Sequence, residues 1–371
     1  MPLYLTEDQS MLRDTARSFM AEEGAIAKQL RHWRDKGCTD GFGHGLWKQF
    51  AEMGFTGILI DEADGGLGLG HVEAGIVLEE IGRNLTPSPF LVSAVAFVEA
   101  LKGSALRERW YPGLLSGDTV GAIAIDEGAK HRPEAIAMRA ERSGNGFRLS
   151  GNKQFVVQGA SADVTLVAAN TDDGLTLFTV EKDAKGLEVE GVRLADSSIG
   201  ARMTFDNVAV DADAVVGEVG GGGEILIRVL NAGRTGAAAE LVGVGSASMD
   251  MTVDYLKQRK QFGRLIGEFQ ALQFRAAHLY SELEIARSAT MKAQQLLDEG
   301  SADAEAMVSV AKAKAGRASA LSVQEGVQMH GGIGMTDEFD IGLYMKRDRV
   351  LNELFGDANY HADKLARMKG Y

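Results

Sequence analysis

Long proline-free stretches constrain this chain most. Ile225 to Lys257, Phe269 to Leu297 and Ala304 to Met329 each read as one uninterrupted helix. Proline would remove a helical hydrogen bond and clash with the preceding turn. The whole sequence holds only 5 prolines but 46 glycines, so the glycines must serve joints and close contacts. The first long stretch is rich in alanine and glycine on one side, which permits close helix packing. Gly331 falls where a helix C′ residue would, and a final helix is expected from about Asn359 to Met368. Long antiparallel helices joined by short connections make a bundle.

The N-terminal part is also helical, but in shorter pieces. Thr6 followed by Gln9 is a capping-box pattern, and Leu12, Thr15, Ala16 and Phe19 share a face at helical spacing. Trp47, Phe50 and Met53 form a second amphipathic stretch ending at Gly54. Gly65, Gly66, Gly68 and Gly70 break the chain before a helix from Val72 to Ile81. Pro87 and Pro89 precede another from Leu91 to Leu101, and Trp110 to Leu115 closes the region. From about Val120 the texture changes. Phe147 to Val157 reads as two strands around a turn at Ser150-Gly151-Asn152, and Val164 to Ala168, Leu175 to Val180, Leu187 to Val192 and Met203 to Val210 follow as short strands. Their spacing suggests an antiparallel barrel or sandwich. Gly220 to Gly223 lacks the context of a phosphate loop and reads as a flexible joint. The expected layout is an α-helical N-domain over 1–118, a β middle domain over 119–217 and a C-terminal four-helix bundle over 218–371.

With 45% apolar and 25% charged residues the composition is that of a soluble globular protein. A formal charge of -13 argues against nucleic acid or an anionic membrane as the main partner. A single cysteine, Cys38, rules out an intrachain disulfide or a thiolate metal cluster and reads as a buried or inert thiol. The N-terminal stretch has no basic region and no apolar run, and no segment is long enough to span a bilayer. The expected compartment is a reducing cytosol.

Two short segments carry chemical potential. In Arg259-Lys260-Gln261-Phe262-Gly263-Arg264, followed by Phe269-Gln270, three cations and an aromatic lie beside a glycine expected to end a helix. A guanidinium can grip a phosphate bidentately; a solvated basic helix end would look the same. In Gln328-Met329-His330-Gly331-Gly332-Ile333-Gly334 the paired glycines let a ligand approach the backbone, and Gln328 offers a donor and an acceptor. A plain helix-to-helix joint is the alternative. His330 has no second ligand at a metal-binding spacing, so no metal is expected.

Together, in this order, these segments resemble the acyl-CoA dehydrogenase family. The resemblance spans the chain and also includes Thr6-Glu-Asp-Gln, Gly65-Gly-Leu-Gly-Leu-Gly, Ser150-Gly-Asn-Lys-Gln-Phe and Arg347-Asp348. It implies the three-part layout above, a dimer or tetramer, FAD as cofactor, an acyl-CoA thioester as substrate and electron-transferring flavoprotein as acceptor. The implied reaction takes a proton from the α carbon and a hydride from the β carbon to flavin. That needs a general base, normally glutamate, and donors to the thioester oxygen. By the same resemblance Arg259, Gln261, Phe262, Gln270, Gln328, Gly331 and Gly332 would contact the distal half of FAD across a subunit interface.

The family's redox half is altered here. The usual Tyr-Glu-Gly-Thr corresponds to Phe355-Gly356-Asp357-Ala358, so Gly356 occupies the position of the base. The alternative base position, before an arginine on the first bundle helix, is Gly233, before Arg234. Asp357 is the nearest replacement candidate, with a helix N-cap as its plainer role; Glu353, one turn earlier, is another. The Trp-Ile-Thr/Ser segment whose hydroxyl meets flavin N5 corresponds to Phe155-Val156-Val157. The Thr-Glu-Pro loop corresponds to Ile125-Asp126-Glu127, and its Gly-Ser-Asp continuation is absent from Ala129-Lys130-His131. Three readings follow: a non-catalytic subunit paired with a paralogous catalytic one, a self-assembled dehydrogenase with a displaced base, or a non-redox scaffold relative.

Overall fold

The computed structural model describes residues 3–371. Met1 and Pro2, which open the N-terminal stretch read above, lie outside the described residues. Two compact units are present, each drawing on separated segments: one combines residues 3–31, 71–86 and 234–371, the other 32–70 and 87–233.

The second unit holds α2 (His32–Asp35), α3 (His44–Glu52), α5 (Val98–Leu101), α6 (Arg107–Leu115) and an eight-stranded sheet. Its strands are β1 (Gly121–Ala124), β2 (Arg139–Ser143), β3 (Gly146–Val157), β4 (Val164–Thr171), β5 (Gly174–Glu181), β6 (Leu187–Arg193), β7 (Ile199–Asp211) and β8 (Val215–Val216). They pair in the order β6-β7-β3-β2-β4-β5-β8, with β1 parallel to β4. Phe147, Leu149, Val156, Phe178, Met203 and Phe205 fill its core. The expected turn at Ser150-Gly151-Asn152 is not a turn. β3 runs straight through it, with a register shift between Leu149 and Gly151, and the chain reverses earlier, between Ser143 and Gly146. A single extra residue on one strand bends the ladder without ending it. The expected helix at Leu91–Leu101 is π-helical from Phe90 to Phe97 before α5, and every residue of it is buried.

The first unit holds α1 (Glu7–Glu22), α4 (His71–Asn84), most of α7 (Gly222–Gln258), β9 (Lys260–Gln261), β10 (Arg264–Leu265), α8 (Gln270–Asp298), α9 (Ala304–His330), α10 (Ile341–Glu353) and α11 (Ala358–Met368). The Thr6–Gln9 capping box is formed at the start of α1. α7 begins inside the glycine run, at Gly222. Val229 to Ser248 are buried all round this helix, as in a central core helix. Its small residues explain how α4 comes so close. A Cβ on Gly243 would lie 2.0 Å from the Glu79 carbonyl oxygen, and one on Gly82 would lie 2.2 Å from that of Glu240. α10 was not foreseen: it has no capping side chain and begins beside a glycine.

No helix among the described residues is long and apolar enough to cross a membrane. Cys38 is half-buried, its thiol 3.8 Å from the Phe42 carbonyl oxygen.

Candidate functional site

The cationic segment folds as a hairpin. α7 ends at Gln258, β9 and β10 pair, and Phe262 and Gly263 turn the chain with φ of 54° and 76°. Positive φ at both central residues is the type I′ pattern favoured in two-residue hairpins. Gly263 therefore serves a β-turn and not, as the sequence suggested, a helix end. The turn lifts Phe262 almost wholly into solvent, at 91% exposure. Arg264 lies 4.0 Å over the Phe269 ring. Among the described residues Arg259, Lys260 and Arg264 form no ion pair, and Arg259, Gln261, Phe262 and Gln270 are all exposed. Three uncompensated cations in an acidic protein favour an anion from outside the chain.

The second segment sits at the same end of the bundle. Leu256, Leu279 and Met329 form one small core with Ile266 and Leu272, which ties the ends of α7 and α9 to the hairpin exit and the start of α8. His330 is buried, stacked on Tyr255 at 4.4 Å and bonded through Nδ1 to the Gly326 carbonyl at 2.7 Å. Burial holds its pKa below the usual histidine value. That is an architectural role. Gln328, Gly331 and Gly332 are exposed. Gly331 takes φ 66°, and a Cβ at either glycine would meet nothing within 4 Å. The backbone here is open to an approaching group.

The position assigned to the base lies between α10 and α11, and it is filled. Phe355 and Gly356 have φ of 59° and 101°. A Cβ on Gly356 would stand 2.4 Å from Cδ1 of Tyr360 and 3.0 Å from two further atoms of that ring. Arg234, only 1% exposed, donates through Nε to the Phe355 carbonyl and through Nη2 to the Tyr360 hydroxyl oxygen, each at 3.2 Å. His361 Nε2 lies 3.1 Å from the same Phe355 carbonyl.

Lys312 completes the lock from α9. Its ammonium donates to the carbonyls of Leu351, Asn352 and Gly356 at 2.9, 3.2 and 3.0 Å. The last four carbonyls of a helix lack internal partners. In α10, Leu354 N serves Val350, Lys312 serves Leu351 and Asn352, and Gly356 N serves Glu353. Complete burial pushes the Lys312 pKa down to about 7, opposed mainly by Asp348. Three carbonyl acceptors require all three protons, so the geometry favours the charged form. Asp348 is pushed up to about 6 by burial and accepts from Asn352 Nδ2 at 3.0 Å. Neighbouring Arg347 pairs with buried Glu240 at 2.6 Å.

Asp357 caps α11, accepting from the backbone N–H groups of Asn359 at 3.0 Å and Tyr360 at 2.7 Å. Gly233 is a buried residue of α7. Sequence reasoning missed Lys312, Tyr360 and the part played by Arg234. Lys312 sits in Ala-Lys-Ala-Lys-Ala-Gly, which looks like an ordinary solvated helix face.

In the second unit, Lys153 is wholly buried and donates to Glu127 at 2.7 Å and to the Ile125 carbonyl at 3.1 Å. Burial lowers the Lys153 pKa against the pull of Glu127. For Glu127, burial pushes upward, but Lys153 and the N–H groups of Met138 and Ala137 outweigh it and leave the pKa lowered. Asp126 meets His131 Nδ1 with both oxygens at 3.0 Å, and its carbonyl accepts from Gln154 N at 2.7 Å. The next residue of β3, Phe155, is bulged at φ 53°, and Val157 is buried and apolar.

Known proteins resolve what these pieces belong to. Family models for the acyl-CoA dehydrogenase N-terminal, middle and C-terminal domains match residues 6–118, 125–208 and 220–369. The chain belongs to the acyl-CoA dehydrogenase family. The mitochondrial isovaleryl-CoA dehydrogenase of Solanum tuberosum is 32% identical over 83% of this chain and 78% of its own length. The mitochondrial short/branched chain specific acyl-CoA dehydrogenase of Bos taurus is 29% identical over 99% of this chain and 87% of its own. Among solved structures, a variant of the Tcur3481-Tcur3483 steroid ACAD superposes with a TM-score of 0.90 at 29% identity, covering 98% of both chains. The acyl-CoA dehydrogenase fold, with helical N-domain, β middle domain and helical C-domain, is the fold of this protein, and the family is one of FAD-dependent acyl-CoA oxidoreductases.

The residues present fit that cofactor unevenly. Unpaired cations and open glycines suit its phosphate-bearing half. By the resemblance, Val157 and Asp126 would stand at the flavin end; Val157 has no hydroxyl to offer and Asp126 is engaged with His131, so these residues do not fit the isoalloxazine ring.

Proposed function

We propose that this chain is the non-catalytic subunit of a heteromeric acyl-CoA dehydrogenase, completing the FAD site of a paralogous catalytic subunit. The carrying observation is the filled base position. Gly356 has a left-handed backbone conformation and the Tyr360 ring where a side chain would begin. Glycine cannot accept a proton from carbon, and no carboxylate can grow from this position without displacing Tyr360. The reaction served is the 2,3-oxidation of an acyl-CoA thioester, with electron-transferring flavoprotein as acceptor, in the cytoplasm. In it Arg259, Gln261, Phe262, Gln270, Gln328, Gly331 and Gly332 hold the distal half of the partner's FAD. The alternative, a self-assembled dehydrogenase using Asp357 as base, is disfavoured because Asp357 serves as the N-cap of α11, its Oδ1 accepting from two backbone N–H groups. Glu353 lies in the last turn of α10 and is the weaker choice.

Arg259→Gln in this chain tests the grip. One lost bidentate phosphate contact is expected to lower FAD retention by the assembled pair by about tenfold, on the scale of ~1.5 kcal/mol for a charge-assisted bond. Flavin content after gel filtration reads it. Full retention would remove Arg259 from the site.

A further inference from the structure

Within the first unit, the His330 ring at the end of α9 is 3% exposed and lies against two aromatic side chains. Tyr255 of α7 is at 4.4 Å and Phe339, just before α10, at 4.7 Å. A carbonyl accepts only from an N–H, so the 2.7 Å contact to Gly326 fixes the single proton of the neutral ring on Nδ1. Nε2 is then an acceptor, and it has no hydrogen-bond partner among the described residues. Buried polar atoms ordinarily have one.

Three segments meet on this ring. Tyr255 stands one turn before Arg259, whose N–H bonds the Tyr255 carbonyl at 2.9 Å. His330 is followed directly by Gly331 and Gly332, and the Gly331 N–H bonds the Gln328 carbonyl. Phe339 lies between Asp337 and Asp340, which Arg31 holds together: its Nη2 donates to the Asp337 carbonyl and to Asp340 Oδ1, each at 2.6 Å. The ring thus joins the root of the hairpin to the open glycines, and Arg31 anchors the stretch that carries Phe339.

A second proton would disturb this joint. Added at Nε2, it creates a buried N–H with no acceptor, which is costly. The faces of Tyr255 and Phe339 attract a cation, but burial prevails and holds the pKa below the usual histidine value. Of the two rings against the imidazole, Tyr255 is the one that titrates. On the facing elements Asp254, Lys257 and Arg259 of α7 are exposed, as are Asp337 and Glu338. Asp340 is paired with Arg31, and Glu325, on α9 itself, with Arg275 of α8. None of these charges contributes to the shift, which comes from burial against the Gly326 carbonyl.

We propose that His330 is a positioning residue of the flavin-gripping end. Neutral, it holds the Gly331-Gly332 backbone beside the hairpin; protonated at Nε2, it releases that backbone and the cofactor with it. The cofactor part rests on the subunit reading above, whereas the first test does not. In the chain alone, NMR follows the His330 ring and the amide protection of Gly331 and Thr336 from about pH 8 to about pH 5, across the ordinary histidine range. Protection is expected to fall at least tenfold, with the midpoint at which the ring titrates. Protection that is unchanged through that titration would overturn the proposal. In the assembled pair, flavin retention should fall about tenfold over the same range. His330→Asn keeps a donor for the Gly326 carbonyl but cannot take the proton, and it should flatten that pH profile. His330→Phe, which keeps a ring, should do the same if the first variant fails to fold. An unaltered profile in a folded variant would contradict the role. A pair that holds no flavin at any pH would sink the subunit reading instead, and the measurement on the chain alone then decides, as it does if neither variant folds.

Discussion

Glutamate introduced at Gly356 is expected to leave the chain without acyl-CoA dehydrogenase activity and to destabilise it by about 2–4 kcal/mol. Two costs combine. A non-glycine residue at φ 101° is strained, by roughly 1–3 kcal/mol. The new Cβ would also press on the Tyr360 ring, itself bonded to buried Arg234, and overpacking of this sort costs about 1–3 kcal/mol. The double variant G356E/Y360A should recover part of the stability, because the ring is gone, while the backbone strain remains. Urea denaturation and turnover with an artificial acceptor read both effects. A stable, active single variant would show that the base position is merely vacant and not filled.

Lys312→Met should be the most destabilising single change in the lock, by about 3 kcal/mol. Methionine keeps much of the volume but leaves the Leu351, Asn352 and Gly356 carbonyls unpartnered in a buried site. Each unsatisfied buried group costs roughly 1–3 kcal/mol, offset in part because a buried charge no longer has to be desolvated. The segment from Leu354 to Gly356 should loosen first, seen as faster amide exchange there than in α9. A midpoint unchanged from the parent protein would mean that Arg234 and His361 suffice to hold this segment.

Much of this was legible in the sequence. The three long helices, the capping box at Thr6 and the β-textured middle follow from periodicity and turn chemistry, which are local. Family resemblance proposes Arg259, Gln328 and their neighbours as phosphate-facing residues and puts Gly356 and Gly233 where a base would stand. What stayed hidden depends on tertiary approach. Lys312 reads as a surface residue because its repeat of lysine and alanine has no apolar period on that face, and only the packing of α9 against α10 and α11 buries it. Tyr360 follows Gly356 by four residues, yet its ring reaches the glycine only because Phe355 and Gly356 adopt left-handed backbone angles. Gly151 reads as a turn in the sequence but lies within β3 beside a register shift whose extra residue is on β7, since glycine beside serine and asparagine suits both. Phe262-Gly263 looked like a helix end for a similar reason: glycine marks positive φ without saying which structure needs it.

The most direct measurement is acyl-CoA turnover and visible absorbance of the purified chain, first alone and then assembled with a paralogous subunit that retains an intact base. The account predicts a colourless, inactive protein alone and a yellow, active pair. A chain that is yellow and turns over acyl-CoA by itself would contradict it.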